Sequence, residues 1–263
     1  MPKVTFITET LRQYRKKFHE LLRQELHSAG IDYQLIYGQA SSLEKAKKDE
    51  IDLSWGIKIA NRYWHFGGIK FCWQPCLYLL KDSDLVIVTQ ANKLLLNYIL
   101  MLQRYSGRSK LAFWGHGKNF QVEDTGSLRE KFKRLYINQV DWWFAYNDLS
   151  AEIIKNAGVS STKITIVQNA IDTKELIEYK NKLGNYDRVN LRCELGLLDC
   201  PIGIFCGGMY KEKRLGFLLE AAELIRNRIK NFQMVFIGEG PDSYLVKEAA
   251  HQKPWFRMSR AKK

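Results

Sequence analysis

Two glycines and a lysine form the strongest chemical pattern in this sequence. Gly207 and Gly208 end an apolar run that starts at Ile202, and Lys213 follows five residues later. Glycines let a backbone approach an anion closely, a following helix offers unpaired amide N–H groups, and a lysine adds a full positive charge. The pattern predicts a site for the diphosphate of a nucleotide at these three residues. A tight turn without a ligand is the alternative explanation of the glycines.

A second glycine turn follows the next apolar run along the chain. The run from Val235 to Ile237 is followed by Gly238-Glu239-Gly240-Pro241. Ligands of open α/β sheets bind at the carboxyl ends of the strands, so this turn should lie beside the first and near the nucleotide. A structural turn in which Pro241 opens the next helix is the alternative. Two successive strands that end in glycine turns favour the binding interpretation.

A histidine lies between two glycines directly after a third apolar run. The segment is Phe113-Trp114-Gly115-His116-Gly117-Lys118. A histidine at the end of a strand can donate to a phosphate or a sugar hydroxyl, or act as an acid or base near neutral pH. A structural histidine in a turn is the alternative. The flanking glycines and Lys118 favour a functional role for His116.

The chain is strongly basic, with a formal net charge of +13. Such a charge attracts nucleic acid, anionic lipid headgroups or phosphorylated substrates. A predicted helix over residues 11–28 carries cations that would suit an anionic membrane or an acceptor, namely Arg12, Arg15, Lys16, Lys17 and Arg23. A solvated outer face is the alternative. The sequence has no zinc module, RNP-type strand or basic-aromatic repeat, which argues against a nucleic-acid-binding protein.

The five cysteines are odd in number and form no paired CxxC pattern. This usage favours reduced thiols and a cytoplasmic setting. Cys72 and Cys76 would share one face of a helix, but no neighbouring histidines or cysteines complete a zinc site, so we expect no metal. The sequence shows no secretion signal and no apolar run long enough to span a membrane.

Short apolar runs alternate with segments of helical spacing along most of the chain. The predicted strands cover residues 4–8, 33–37, 85–89, 111–114, 142–146, 164–167, 202–206 and 234–237. The predicted helices cover residues 11–28, 93–105, 128–138, 150–156 and 214–229, with a further helix from Asp242. This alternation predicts an α/β protein whose parallel sheets are covered on both faces.

The distribution of the strands predicts two domains. A polar stretch over residues 173–192 contains no predicted strand and separates the first six strands from the last two. We therefore predict an N-terminal domain over residues 1–172, a linker over 173–198 and a second domain over 199–263. The segment from Lys253 onward is too polar for a buried strand, and only about 50 residues follow Lys213, so we expect an incomplete C-terminal domain.

Four segments follow one another in a fixed order along nearly the whole chain. They are Gly115-His116-Gly117, Asn169-Ala170-Ile171-Asp172, Gly207 through Lys213, and Gly238-Glu239-Gly240-Pro241. Taken alone, the second predicts only a loop. In this order the four resemble the retaining glycosyltransferases of family 4, the glycosyl transferases group 1. These enzymes have the GT-B fold, which consists of two Rossmann-like parallel-sheet domains.

The resemblance implies a hexosyltransferase that moves a sugar from a nucleotide diphosphate sugar to a glycan or lipid-linked acceptor, with retention, in surface polysaccharide or glycolipid biosynthesis. The acceptor would enter from the N-terminal domain, and the donor would bind between the domains. The resemblance implies no cofactor and no essential metal. The lack of a nucleic-acid-binding module, given above, is the reason that we expect no nucleic acid as a partner. Lipid-linked acceptors imply a cytoplasmic protein that is peripheral on the inner face of the cell membrane.

The resemblance also assigns roles to individual residues. The donor diphosphate would bind Gly207, Gly208 and Lys213, and the nucleoside would lie near the turn formed by Gly238, Glu239, Gly240 and Pro241. Lys213 would neutralise the charge that develops on the leaving diphosphate. His116 would face the transferred sugar. Lys213 and His116 are therefore the expected catalytic residues.

The chain departs from the pattern of this family at two points. Family members often have an arginine at the position of Gly208, where it pairs with the lysine. The E-x7-E segment that holds the donor sugar has no counterpart after Asp242, where Glu248 is the only carboxylate side chain. A truncated, inactive relative of the family is therefore the alternative to an active transferase.

Overall fold

The computed structural model describes residues 1–45, 49–117, 136–197 and 200–259. The chain divides into two compact units, Met1–Asp172 (unit 1) and Thr173–Lys263 (unit 2). Lys118 and most of the predicted helix over residues 128–138 lie outside the described residues.

Unit 1 is built on a parallel sheet of seven strands and carries a separate hairpin. Its strands are β1 (Lys3–Thr10), β2 (Asp32–Gly38), β3 (Ile57–Ile59), β4 (Arg62–Phe66), β5 (Ile69–Trp73), β6 (Leu85–Thr89), β7 (Lys110–Gly115), β8 (Trp142–Ala145) and β9 (Ile164–Ile166). The order across the sheet is β3-β2-β1-β6-β7-β8-β9, and β4 pairs only with β5. All six strands predicted in this part of the chain are confirmed, whereas β3, β4 and β5 were not predicted.

The sheet of unit 1 is apolar on both faces. On β1, Phe6 belongs to one buried cluster and Ile7 to the other, because successive side chains of a strand point to opposite faces. Such a sheet needs helices on both sides. The helices of unit 1 in the described residues are α1 (Lys16–Ser28), α2 (Ser42–Lys45), α3 (Leu95–Arg104) and α4 (Asp148–Asn156). Leu96 of α3 and Ile154 of α4 pack in the cluster that contains Ile7.

Helix α1 covers the opposite face with side chains spaced four residues apart, namely Phe18, Leu22 and Leu26. His19 is 3 % exposed, and its Nδ1 lies 2.7 Å from the hydroxyl of Tyr33. Burial, and secondarily the nearby Arg15, lower the pKa of His19 to about 3. The imidazole of His19 is therefore neutral in the folded protein near neutral pH.

The buried His19 should make the stability of unit 1 depend on pH. In the unfolded chain it titrates near 6.5, but in the folded chain its pKa is about 3. The unfolded state therefore binds more protons between these values, and the free energy of unfolding decreases as the pH falls below 6.5. At about pH 5 the expected loss is about 2 kcal/mol, from 1.36 kcal/mol per pKa unit. Denaturant titrations at neutral and acidic pH measure it.

Variants of two histidines on α1 separate this effect from general acid sensitivity. His19→Gln should reduce the pH dependence, because the titrating group is gone. His27→Gln is the matched control, since His27 lies on the same helix and is exposed. Equal pH dependence in the wild type and His19→Gln would contradict the assignment.

Unit 2 has a three-stranded parallel sheet in its described part. Its strands are β10 (Ile202–Cys206), β11 (Gln233–Ile237) and β12 (Phe256–Ser259), and its helices are α5 (Lys174–Lys182), α6 (Asn185–Glu194), α7 (Leu215–Arg228) and α8 (Ser243–Gln252). The order is β10-β11-β12, so β10 is an edge strand, and Ile204 on it is 66 % exposed. Phe236 of β11 and Val246 of α8 lie at the centre of the core, each fully buried.

The prediction that the segment from Lys253 onward holds no buried strand is wrong. Strand β12 pairs in parallel with β11, and Phe256 is 2 % exposed. Alternation directs Phe256 and Met258 to the core, while Arg257 donates to the carbonyl oxygen of Leu195 at 2.8 Å. The polar stretch over residues 173–192 contains α5 and most of α6, and its assignment as a linker stays a prediction.

Candidate functional site

The two predicted glycine turns of unit 2 lie side by side at the carboxyl ends of β10 and β11. The register of these strands, with Cys206 opposite Ile237, brings both turns to this edge. Backbone hydrogen bonds join them, from Gly207 N–H to the Ile237 carbonyl (3.0 Å), from Met209 N–H to the Glu239 carbonyl (2.9 Å), and from Asp242 N–H to the Met209 carbonyl (3.0 Å). The two turns therefore form one structural unit.

Contact between the turns requires glycine at two positions. Gly238 has a φ of +141°, and a Cβ on this residue would lie 2.0 Å from the carbonyl oxygen of Gly207. A Cβ on Gly240 would lie 2.2 Å from the carbonyl oxygen of Met209. Both neighbours are backbone atoms, which cannot rotate away as a flexible side chain can. The packing of one turn on the other thus explains these two glycines without a ligand.

Lys213 lies immediately before the helix that follows the first turn. It ends a 3₁₀ turn over Lys211–Lys213, Arg214 has φ 50° and ψ 50°, and α7 begins at Leu215. No side chain caps this N-terminus, so the amide N–H groups of the first helical turn have no capping acceptor among the described residues. The side chain of Lys213 is exposed. A helix N-terminus and an adjacent lysine together suit an anion.

The neighbours of Lys213 differ from the expected arrangement. Arg214, which sequence reasoning missed, is a non-glycine residue in the left-handed region, and its guanidinium lies 5.2 Å from the centre of the Phe217 ring. In the sequence, the position of Arg214 directly after Lys213 is the feature that indicates its place beside the predicted diphosphate site. At Gly208, a Cβ would lie 2.1 Å from Cε2 of Tyr210. The Tyr210 ring therefore occupies the space in which an arginine side chain at position 208 would begin.

In unit 1, His116 directly follows β7 and is held by the N-terminus of α4. Its Nδ1 lies 3.1 Å from Oγ of Ser150, and that hydroxyl donates its one proton to Oδ1 of Asn147 at 2.8 Å. Ser150 must therefore accept from Nδ1–H, which makes Nε2 the acceptor nitrogen of the neutral ring. Asn147 is the N-cap residue of α4 and also accepts from the backbone N–H of Ser150.

The protonation state of His116 follows from its surroundings. Burial lowers the pKa of His116 below its ordinary value of 6.5. The ring of Tyr146 contacts the imidazole edge to face, with 4.4 Å between the ring centres. His116 is therefore neutral at pH 7, and Nε2 can accept a hydrogen bond from a hydroxyl group or act as a base.

A cavity of about 190 Å³ lies at the carboxyl edge of the unit 1 sheet, lined in part by Thr8, Glu9, Arg12, Arg15, Thr89 and Tyr146. Glu9 is paired with Lys70 and Lys93, and Arg12 is paired with Asp49. Arg15 has no carboxylate partner among the described residues. Its guanidinium instead lies 5.2, 5.9 and 5.8 Å from the ring centres of Tyr14, Phe18 and Tyr146. A partly buried guanidinium without a carboxylate suits an anionic group of a ligand.

Segments that are far apart in the sequence meet at this cavity. Arg15 donates to the side-chain oxygen of Asn169, the first residue of the predicted loop that ends at Asp172. Gln168 and Asn169 have φ values of 56° and 40°, a left-handed conformation that turns the chain after β9. Tyr146 connects the cavity to His116. The structure therefore brings together Arg15, Asn169 and His116 around one edge of the sheet.

The other predicted cations of residues 12–23 lie elsewhere on or near α1. Lys16 lies 3.8 Å from Glu20, and Lys17 is exposed. The guanidinium of Arg23 lies 4.7 Å from the centre of the Trp55 ring. The structure thus separates these three residues from Arg12 and Arg15 in the cavity. A role for any of the five at a membrane or an acceptor stays a prediction.

Comparisons with known proteins identify the fold but no sequence family. No family model matches the chain, and no curated protein matches its sequence. The UDP-GlcNAc 2-epimerase of Methanocaldococcus jannaschii is 16 % identical, with a TM-score of 0.56 over 99 % of this chain and 74 % of that one. The protein HepE of Anabaena, in complex with UDP and glucose, is 13 % identical, with a TM-score of 0.56 over 99 % and 69 %.

A third match is the lipopolysaccharide outer core galactosyltransferase WaaB, which is 16 % identical, with a TM-score of 0.54 over 98 % of this chain and 67 % of that one. The chain has the GT-B fold. The predicted α/β class with two parallel sheets is confirmed. In both units of this GT-B chain the predicted site residues follow the carboxyl ends of parallel strands, where ligands of such sheets bind.

Three findings concern metal ligands, two buried cysteines and helix length in the described part of the GT-B chain. No group of three or more His, Cys, Asp or Glu side chains in that part is placed to hold a metal ion. Burial raises the pKa of Cys72 and of Cys76 to about 12, so both are neutral thiols. Among the described helices, none combines the length and apolarity needed to cross a bilayer.

Proposed function

We propose that the protein is a retaining glycosyltransferase that moves a sugar from a nucleotide diphosphate sugar to a glycan or lipid-linked acceptor, in surface polysaccharide or glycolipid biosynthesis. The observation that carries this proposal is the joined pair of turns in unit 2, beside Lys213 and an uncapped helix N-terminus. Two matched GT-B structures support it, since HepE was solved with UDP and glucose and WaaB is a galactosyltransferase.

In this proposal the donor diphosphate binds at the start of α7. Amide N–H groups of the first helical turn donate to its oxygens, and Lys213 supplies a full positive charge, with Gly207 and Gly208 beside it. When the bond between the sugar and the diphosphate breaks, the leaving group gains negative charge. Lys213 and the helix dipole then stabilise the transition state more than they stabilise the bound donor, and this difference accelerates transfer. The nucleoside lies along the turn from Gly238 to Pro241.

The proposed roles in unit 1 rest on the cavity and on His116. Nε2 of His116 accepts a hydrogen bond from a hydroxyl group of the transferred sugar, because the Ser150 hydroxyl occupies Nδ1. Arg15 binds an anionic group of the acceptor, since no carboxylate of the described residues neutralises it. A phosphate that joins a glycan to a lipid carries such a charge, which favours lipid-linked acceptors over neutral glycans.

A nucleotide-sugar 2-epimerase is the second candidate. The UDP-GlcNAc 2-epimerases of M. jannaschii and Neisseria meningitidis both match over 99 % of this chain. An epimerase would use the same turns of unit 2 for the diphosphate. It would convert the donor into an isomer with no net release of nucleoside diphosphate, and it would need no acceptor.

Binding and product measurements with UDP-glucose, UDP-GlcNAc and GDP-mannose test the proposal. We expect one of these donors to bind in calorimetric titrations, and nucleoside diphosphate to be released in a reaction that depends on an acceptor. Formation of an isomeric nucleotide sugar would favour the epimerase instead. Binding without turnover would indicate an inactive relative, and absence of binding by UDP, GDP and all donors would contradict both proposed activities.

His116→Gln should lower the rate constant of transfer by about 100-fold or more, the contribution expected of a positioned acid, base or hydrogen-bond partner.

In the wild type the rate should be constant above pH 6.5 and decrease below it, because the neutral ring is the active form and burial lowers the pKa of His116. Profiles of kcat/KM against pH measure both effects. His65→Gln, at an exposed histidine of the same unit, is the control. An unchanged acidic limb in His116→Gln would assign the titration to another group.

A further inference from the structure

The hairpin of β4 and β5 is the one pair of strands in the described part of unit 1 that is not in the seven-stranded sheet. Its turn is Gly67-Gly68, with φ values of 55° and 74°, which is the left-handed conformation of a tight two-residue hairpin turn. The register pairs Arg62 with Trp73, Trp64 with Phe71 and Phe66 with Ile69. The alternate pairs are Tyr63 with Cys72 and His65 with Lys70. The hairpin therefore has two chemically different faces.

One face of the hairpin is bound to the rest of unit 1 by hydrogen bonds and ion pairs. The hydroxyl of Tyr63 donates to the carbonyl oxygen of Gln39 at 2.7 Å, and Cys72 is fully buried. Lys70 donates to Glu44 at 3.1 Å and lies 3.3 Å from Glu9. Burial opposes the charge of Lys70, but the two carboxylates together raise its pKa. These bonds hold the base and middle of the hairpin in place.

The other face is a continuous apolar ladder of Trp64, Phe66, Ile69, Phe71 and Trp73. Its exposure increases from base to tip. Trp73 packs against the core of unit 1, whereas Trp64, Phe66 and Ile69 are 48, 81 and 40 % exposed. The three exposed side chains lie at the end of the hairpin, next to a turn that has no side chains of its own. A cluster of exposed apolar side chains with polar residues around it is typical of an interaction site.

We propose that the tip of this hairpin inserts into the interface of an anionic lipid bilayer. Arg62, which pairs with Trp73 at the base of the apolar ladder, is exposed and has no carboxylate partner among the described residues. Lys58 and Lys70 are instead paired with carboxylates, namely Asp52 for Lys58 and Glu9 and Glu44 for Lys70. The whole chain has a net charge of +13. Aromatic side chains favour the headgroup level of a bilayer, and nearby cations are attracted to anionic lipids. The positive charge of the chain and the aromatic side chains of the tip thus both suit the surface of an anionic bilayer.

The size of the tip also favours a bilayer over a protein partner. A stable protein interface covers roughly 800 Å² on each side, with about 20 residues. The exposed tip offers three apolar side chains. Shallow insertion needs only a few such side chains and cationic residues nearby, as in interfacial amphipathic segments. The resemblance implied a peripheral membrane protein with α1 as its surface, and the new element is the hairpin tip as the contact. This binding needs neither donor nor acceptor, so it can be tested separately from the proposed function.

Co-sedimentation of the full chain with vesicles of phosphatidylcholine and phosphatidylglycerol tests the inference. We expect the wild type to bind these vesicles and to bind pure phosphatidylcholine more weakly. The double variant Phe66→Ser/Ile69→Ser should lower the partition coefficient by about tenfold or more, because two apolar side chains no longer enter the interface. The matched control is Tyr78→Ser/Leu102→Ser, which removes one exposed aromatic and one exposed aliphatic side chain elsewhere in unit 1.

Tryptophan fluorescence gives a second readout. Addition of anionic vesicles should shift the emission of the wild type to shorter wavelength, because Trp64 leaves water. Trp64→Phe keeps an aromatic ring at the tip, so it should still sediment with the vesicles but lose most of the shift. Thermal unfolding of each variant verifies that unit 1 remains folded.

Several outcomes would overturn the inference. One is a wild type that does not bind anionic vesicles, and another is a tip variant that binds as the wild type does. If Lys16→Glu/Lys17→Glu abolishes binding while the tip variant retains it, the membrane surface is α1 and not the hairpin. A wild-type dimer that the tip variant dissociates, without vesicle binding, would assign the tip to a second copy of the chain.

Discussion

Lys213→Ala should lower the rate of sugar transfer by about 100- to 1,000-fold, the loss expected when one preorganised group that stabilises a developing anion is removed. Lys213 is exposed and directly precedes the left-handed Arg214 and the uncapped start of α7. Its charge acts on the leaving diphosphate, so the loss should be larger in kcat than in the affinity for the donor. Steady-state kinetics and calorimetric titration of the same variant measure the two quantities separately.

Lys211→Ala is the matched control for this prediction. Lys211 lies in the same 3₁₀ turn and is also exposed, so the two variants remove the same charge from neighbouring positions. Only Lys213 should matter strongly if the diphosphate binds at the start of α7. Equal losses in both variants would indicate a general electrostatic effect, and wild-type turnover by Lys213→Ala would show that the diphosphate site is elsewhere.

Gly240→Ala and Gly238→Ala should each destabilise unit 2 by about 3 kcal/mol, the upper part of the range for an added group in a packed region. A Cβ at these positions would lie 2.2 and 2.0 Å from backbone carbonyl oxygens of the facing turn. The turns would have to separate, which would break the hydrogen bonds between residues 207–209 and 237–242. In the Gly238→Ala variant the alanine would also be strained, because residues with a side chain rarely adopt the φ of +141° found at this position.

Hydrogen exchange of the amides in β10 and β11 measures this loss within unit 2 and separately from unit 1. Gly216→Ala is the control, because a Cβ on Gly216 meets nothing within 4 Å and the residue lies in α7. That variant should be as stable as the wild type or up to about 1 kcal/mol more stable. If Gly238→Ala and Gly240→Ala keep full protection and lose only nucleotide binding, these glycines serve the ligand and not the packing.

The strands that form the centres of both sheets could be predicted from the sequence. Each is a short apolar run that ends at a turn, and the central strands of a sheet covered on both faces need no alternation with polar residues. The missed strands are those that do alternate. The pattern Phe256-Arg257-Met258-Ser259 has the period of a half-buried strand, and the residues on either side of Gly67-Gly68 have the same period. Because polar residues interrupt the apolar ones in these strands, they lack the continuous apolar run that predicts the central strands.

The candidate site could be predicted only at the level of single segments. The positions of His116, Lys213 and the glycine turns at strand ends follow from local patterns. The bond from Arg15 to Asn169 joins residues 154 positions apart, and no local pattern indicates it. The contact that fixes Gly238 and Gly240 depends on the register of β10 against β11, which is a property of the folded sheet. The sequence left a nucleotide site and a structural turn as alternatives for these two glycines, and only the folded sheet shows the backbone contact that requires glycine at both.

The free edge of β10 bears on how the protein behaves at high concentration. This strand pairs only with β11 in the described part of unit 2, and Ile204 on it is largely exposed. The unpaired backbone groups of such an edge can template hydrogen bonding with a strand of another molecule. Neither a charged residue nor a proline interrupts the sequence Ile202-Gly203-Ile204-Phe205-Cys206. In the part of unit 2 that the structure describes, β10 is therefore open to edge-to-edge pairing with a strand of another molecule, and a low protein concentration limits such pairing.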